Sequence, residues 1–419
     1  MYMRTFCTDY MYQGKWTEDF LKRSAEDYYI DYVPGIKSFE QALILPQKEA
    51  EGHTWGIGGA LYPDGSMIEE SQIGGVFGGA YPFQADELVE CPYPVYYIPI
   101  IPKHWGHFLL DVLSRFWFVT DGTDQGYPIV FCGKDFEEHR ITGNYLEALN
   151  ALGIDESRMV FVENPMRFER ILIPQASYGD GRPFCDAYLK TIRKLKENVL
   201  DSAAAEELKP YEKIYFTRTQ FRRAHMTEVG EKEIEELFRD NEFQVLAPEK
   251  LSFTEQVFYF STAKEIASLS GTISHNIMFC GEGTEVAVLN RCCLPNQAQF
   301  SVNQMSKAKV TYVDCYAKET LKKPQYWPVW VEINDNLLRY MEHKGCIKAW
   351  PLITTVFSLF KIGLFKICAI VPIKLNPEFN VSSVSESNVM IYFIFGILPF
   401  SMVLVLNGFS IFPNKYSLN

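Results

Sequence analysis

Between residues 213 and 291 short apolar runs alternate with helical patterns, and this alternation constrains the fold more than any other feature. Residues 213–217 form an apolar run that ends at Arg218. A charged helical pattern follows over 231–241, then a strand-like run over 243–246, which Pro248 stops. Ser252 and Glu255 stand in the spacing of a capping box, so a helix is expected from there to about Thr262. Residues 266–269 and 285–289 read as buried strands, and 272–279 between them as a helix behind Ser270-Gly271. Strands that alternate with helices build parallel β-α-β units, so an α/β sheet is expected here.

The first half carries a similar but looser pattern. Residues 1–50 read as irregular cover for a core. Residues 53–83 are rich in Gly and read as short antiparallel strands turning at Tyr62-Pro-Asp-Gly65. Their glycines lack the G-x-G-x-x-G spacing and no helix follows, which excludes a dinucleotide fingerprint. Strands are expected over 94–101, 128–132, 159–162 and 170–173, and helices over 104–119, 144–152 and 184–200. Residues 201–210 read as a hinge, 310–313 as an edge strand, and 326–340, with Trp327 and Trp330, as a segment packing back across the domain boundary.

In parallel sheets ligands sit at the carboxyl ends of the strands. Arg218 leaves one such end with Arg222 close behind, and Gly271-Thr272-Ile-Ser274-His275-Asn276 leaves another and opens a helix. Free amides and the helix dipole suit that opening to phosphate, and guanidiniums across a gap can fork onto the same oxygens. Each feature alone also fits a plain β-α turn and a solvated arginine. In the 104–119 helix, seven apolar residues from Trp105 to Trp117 take one face. At about 100° per residue, His104, His107, Asp111 and Arg115 then share the other. Three readings stay open: a base for proton transfer at His107 or Asp111, a two-His-one-carboxylate metal site, or a solvated face with an Asp111–Arg115 pair.

With 419 residues and 47% hydrophobic content the chain has room for two packed domains. Its net charge of −12 excludes general nucleic-acid binding, which needs a basic face. Ten scattered Cys without C-x-x-C make neither a zinc nor a disulfide framework and suggest a reducing compartment. The polar stretch 1–23 lacks an apolar signal core, so a cytoplasmic location is expected. No D-x-D occurs, so a metal between two nearby carboxylates is not indicated. The end of the chain turns apolar. Residues 350–373 hold Lys361 and Lys366, while 389–412 carry no charge. The length of 389–412 can span a bilayer, whereas a central Lys costs about 2.5–3.5 kcal/mol on insertion, so 350–373 is read as lying at an interface and 350–412 as a tail that can associate with a membrane surface. A spanning hairpin and a soluble core pair are the alternatives.

Four motifs in fixed order resemble glycosyltransferase family 61, in its capsular polysaccharide biosynthesis type. They are His104-Trp-Gly-His-Phe-Leu-Leu-Asp111, Ile214-Tyr-Phe-Thr-Arg218, Leu251-Ser-Phe-Thr-Glu-Gln256 and Ser270-Gly-Thr-Ile-Ser-His-Asn-Ile-Met-Phe279. The resemblance covers about residues 92–291. Thr217 replaces the family's usual Ser, and Ser270 stands where His is common. It implies two Rossmann-like domains facing a cleft, the GT-B type, with the apolar tail beyond them. Residues 1–205 would form the acceptor side and 206–345 the nucleotide-sugar side. It further implies inverting transfer of a sugar from a nucleotide diphosphate donor to a carbohydrate hydroxyl, in surface or capsular polysaccharide synthesis; with no D-x-D present, no cofactor or metal is expected. On that reading His107, Asp111 and His104 are catalytic, and Arg218, Arg222, Glu255, Gln256, Gly271, Thr272, Ser274, His275 and Asn276 bind the donor. Glu255 could instead only cap its helix. A non-catalytic nucleotide-binding protein and a different group transferase on the same scaffold are the rivals.

Overall fold

The computed structural model describes residues 6–73, 76–101, 104–133, 141–179, 183–221, 228–293, 296–317 and 329–346, together with strand residues 389–394, 401–406 and 409–410. The chain divides into two compact units, Met1–Lys348 and Ala349–Asn419.

The larger unit holds two main sheets. The first is mixed and built from β2 (Ile36–Glu40), β3 (Leu43–Ala50), β4 (His53–Leu61), β5 (Val89–Ile98), β6 (Ile129–Cys132), β7 (Met159–Val162) and β8 (Met166–Pro174). Its order is β4-β3-β8-β5-β6-β7, with β2 also on β8. The β8-β5-β6-β7 part is parallel, and β2, β3 and β4 add antiparallel strands. The second sheet is parallel throughout, in the order β1-β14-β13-β12-β9-β11. Its strands are β1 (Phe6–Tyr10), β9 (Lys213–Phe216), β11 (Gln244–Leu246), β12 (Glu265–Leu269), β13 (Glu285–Asn290) and β14 (Lys309–Asp314). A small parallel pair, β10 (Glu228–Val229) and β15 (Val329–Trp330), stands apart.

The parallel strands are apolar runs because both faces are covered. Ile214, Tyr215 and Phe216 are fully buried in β9, and Ala287, Val288 and Leu289 in β13. Helices Asp186–Leu200, Phe253–Thr262 and Gln297–Met305 flank them, and Phe216 stacks on Phe260 with centroids 4.5 Å apart. The Ser252–Glu255 capping box forms as read: Ser252 Oγ accepts from the Glu255 amide at 3.1 Å, and Glu255 Oε2 accepts from the Ser252 amide at 2.7 Å.

Several expectations are corrected. The first 50 residues are not irregular: they supply β1, helix Lys15–Ser24, β2 and β3. The strand at 310–313 is not an edge, because β1 pairs beyond it. A partner some 300 residues away leaves no local trace. The segment read as one helix over 104–119 changes pitch. It starts as a turn at Trp105–His107, widens to a π-helical stretch at Phe108–Val112, tightens at Leu113–Arg115 and resumes at Trp117–Thr120. The 201–210 stretch contains a short helix, Ala203–Glu206, capped by Ser202.

In the smaller unit, β16 (Val389–Ile394) and β17 (Ser401–Leu406) pair antiparallel, and β18 (Phe409–Ser410) adds to β17. The described parts of the charge-free stretch are therefore strands, and its sequence is rich in β-branched and aromatic residues. Among the described residues no helix is long and apolar enough to cross a membrane. Residues 350–373, Trp327 and Arg222 lie outside the described residues.

Candidate functional site

Three adjacent parallel strands, β9, β12 and β13, end side by side. Arg218 follows the first, Gly271 the second and Arg291 the third. A Cβ built on Gly271 would stand 3.0 Å from Arg218 Nη1 and 3.9 Å from Arg291 Nη2, so both guanidiniums flank this turn. Both are held by one carboxylate. Arg218 Nε donates to Glu228 Oε2 at 2.7 Å, and Arg291 Nη1 donates to Glu228 Oε1. The Glu228 side chain is 1% exposed, against 17% and 20% for the two arginines. The acid is sealed and the cations keep an open side.

A second acid supports the same loop. Glu231 begins the helix Glu231–Asp240 and accepts the Arg218 amide at 2.8 Å and the Tyr215 hydroxyl at 3.2 Å. Burial, with the Glu228 carboxylate adding to it, pushes its pKa up to about 7. Thr217 and Thr219 both donate to Glu235 Oε2, at 2.7 and 2.6 Å. The expected helix at 272–279 is present as a 3-10 helix, Thr272–Phe279. Only Gly271 and Thr272 remain partly open at its start, and Ser274, His275 and Asn276 are buried. Their side chains bond inward: Ser274 Oγ donates to Leu269 O at 3.3 Å, and His275 Nδ1 lies 3.2 Å from Gln299 Oε1. What the opening presents to a ligand is its amides, which suit an anion.

The other wall comes from the segment after β5. His107 Nδ1 and Asp111 Oδ2 are 2.6 Å apart, with side chains 34% and 22% exposed. A carboxylate at Nδ1 holds the proton there and leaves Nε2 as the basic nitrogen. The His104 ring lies 4.6 Å from that of His107, and Trp55 meets the same imidazole at 4.6 Å and 85°. The polar stripe therefore forms only in part. Arg115 leaves it and donates from Nη1 to Pro174 O at 2.9 Å, because the π-helical stretch shifts its phase. Asp111 pairs with His107, and its charge also acts on the Arg115 guanidinium. Among the described residues no three His, Cys, Asp or Glu side chains converge as a metal site.

The two walls meet at Gly106. A Cβ there would stand 3.0 Å from His275 Cδ2 and 3.1 Å from Thr272 Cγ2, so the turn can approach only without a side chain. Next to it, Trp105 Nε1 donates to Asn276 Oδ1 at 2.9 Å. Asn276 Nδ2 donates to Gln256 Oε1 at 2.8 Å, and Gln256 Nε2 to Pro248 O at 3.0 Å. These buried amides tie the His–Asp turn to the helix opening. Asn276 and Gln256, read from the sequence as donor contacts, are spent on that tie, and the Glu255 carboxylate is spent on its cap. Arg291, Glu228, Glu231, Gly106 and Trp55 belong to the site but were not read into it. Arg291 had a usable signal, since it leaves a buried run just as Arg218 does.

The molecule is thus an α/β protein that gathers cations at the carboxyl ends of a parallel sheet, beside a His–Asp pair. Residues 105–287 match the family model Glycosyltransferase 61, so that stretch of the chain is similar to this family. The match contains His107, Asp111, Arg218 and the Gly271 opening and stops four residues before Arg291. No curated protein matches the chain.

Proposed function

We propose that this protein transfers a sugar from a nucleotide diphosphate donor to a hydroxyl of a carbohydrate acceptor, with inversion at the anomeric carbon. The observation that carries this reading is the Gly106 contact, which seats the His107–Asp111 pair beside the opening that Arg218 and Arg291 flank. His107 Nε2 removes the acceptor proton while Asp111 holds the imidazole in register and stabilises its cation. The acceptor oxygen attacks the anomeric carbon as the bond from that carbon to the phosphate oxygen breaks. The nucleoside diphosphate leaves with the bonding pair, and one displacement inverts the centre. The guanidiniums and the Gly271 and Thr272 amides stabilise the charge that grows on the leaving group, so the reaction runs without metal. On this reading the two sheets are the halves of a GT-B cleft. The donor side is 206–345 together with β1, which the second sheet takes from the start of the chain, and the acceptor side is the remainder of 1–205. The enzyme acts in surface or capsular polysaccharide synthesis, in the cytoplasm at the inner face of the membrane, with residues 350–412 at that surface.

The test is a thermal-shift screen against nucleotide diphosphate sugars, followed by turnover of each hit in excess EDTA with and without manganese. A stabilising donor whose turnover survives chelation is expected. A protein that no nucleotide diphosphate sugar stabilises overturns the donor assignment. Turnover lost to EDTA and restored by manganese overturns the metal-free step alone.

A further inference from the structure

The glycine-rich hairpin of β3 and β4 has no part in the chemistry above, yet it delivers a tryptophan to the base. Its register jumps from Lys48↔Ile57 to Ala50↔His53, so that Thr54, Trp55 and Gly56 face Glu49 alone. Such a bulge bends a strand and re-aims its side chains, often beside active sites. Gly56 makes this one possible: its φ is 79°, and a Cβ there would run into the Lys48 carbonyl oxygen. The Trp55 backbone is clamped from both sides, its amide donating to Val76 O at 2.8 Å and its carbonyl accepting from Gln47 Nε2. One side of the indole packs on the core of the first sheet. The ring also meets His107 at 85°, and it stays partly exposed. Two rings at a right angle make a corner, with a basic nitrogen on one wall and an apolar π surface on the other.

We infer that Trp55 is the acceptor platform, on which a pyranose ring lies with one hydroxyl turned to His107. This rests on the transferase reading and adds the acceptor's chemistry to it. The C–H face of a pyranose is apolar with a positive edge, and the negative face of an indole complements it. A flat polar acceptor without such a face has no reason to meet a Trp here.

Three proteins are compared: the parent, Trp55→Ala and Trp55→Phe. Binding is read by saturation-transfer NMR with methyl glycosides of common pyranoses, and catalysis by donor hydrolysis to water and by transfer to the glycosides that bind. The parent should show saturation of at least one glycoside, Trp55→Ala should lose it and Trp55→Phe should keep part of it. The acceptor KM of Trp55→Ala should rise about tenfold or more, a larger change than any in its donor hydrolysis. A parent that binds no pyranoside, or an unchanged acceptor KM in Trp55→Ala, overturns the platform. Hydrolysis and transfer that fall together show that Trp55 only positions His107, which also overturns it. A parent that binds glycosides but turns over no donor counts against the transferase reading instead, and the binding arm still decides the role of Trp55.

Discussion

The two walls of the site are made of different materials. The wall at the ends of β9, β12 and β13 is a set of charges, two guanidiniums over one sealed carboxylate, with a second buried acid behind them. The other wall is a set of rings, His104 and His107 after β5 and Trp55 from β4, with one partly exposed carboxylate. Cations fixed in place cost nothing to reorganise when a phosphate arrives, and in a low-dielectric setting they act strongly on it. Rings orient a neutral substrate and a base without imposing a field. On the proposed function the first wall binds the polyanion and the second transfers the proton, and substitutions should separate the two.

The largest effect expected is on the ring wall. His107→Ala should lower turnover by about 10² to 10⁴ and leave the dissociation constant of a nucleoside diphosphate, read by calorimetry, nearly unchanged. Asp111→Asn should follow it through loss of the tautomer. On the charged wall, Arg218→Ala and Arg291→Ala should each weaken nucleoside diphosphate binding by about 1.5–3 kcal/mol, the worth of a charge-assisted bond. If His107→Ala weakens nucleotide binding as much as Arg291→Ala does, the walls are not separate and the comparison fails.

A second test sharpens the electrostatic side. The folded pKa of Glu231, about 7, stands above the ordinary carboxylate value. Below the ordinary value both folded and unfolded states hold the proton, and the stability tied to this group is fully present. As pH rises toward 7 the unfolded chain releases the proton first, so that stability is lost across the window from about 4.5 to 7. The loss is on the order of 3 kcal/mol. Glu231→Gln keeps an oxygen for the Arg218 amide and removes the titration. Melting temperatures measured across that window should fall less with pH in the variant than in the parent. Parallel curves would mean that Glu231 stays ionised beside Arg218.

How much of this was legible follows from the range of each interaction. Parallel strands buried on both faces leave apolar runs, so β9, β12 and β13 could be read, and Arg218 with them. The His107–Asp111 pair is an i,i+4 contact and could be read as a candidate. Glu228 and Arg291 are 63 residues apart, and nothing in either neighbourhood marks the pair. The β1–β14 pairing, the bulge at Trp55 and the π-helical stretch at Phe108–Val112 depend on register or distant packing, which single-residue preferences do not encode. Ser274, His275, Asn276 and Gln256 show the converse limit. Their polar type was visible, but whether they face a ligand or a neighbouring amide was set by packing.

The smallest effect tests that last point on Glu255, whose position beside the donor segment invites a binding role. The Ser252–Glu255 box satisfies two amides that the first turn of the helix leaves without partners. The box has a buried neighbour: the Phe253 amide donates to Glu147 Oε2 at 2.9 Å, so the helix start is held on both sides. Ser252→Ala should therefore cost about 1 kcal/mol of stability, and Glu255→Ala a similar amount by denaturant titration. Glu255→Gln keeps an acceptor for the Ser252 amide and should cost less than Glu255→Ala. All three should bind a nucleoside diphosphate as the parent does, since the Glu255 carboxylate is engaged in the cap through Oε2. A binding loss in Glu255→Gln without a stability loss would return Glu255 to the charged wall as a direct contact. Weaker binding that tracks lost stability through all three variants would show that the cap reaches the site only through the helix it starts.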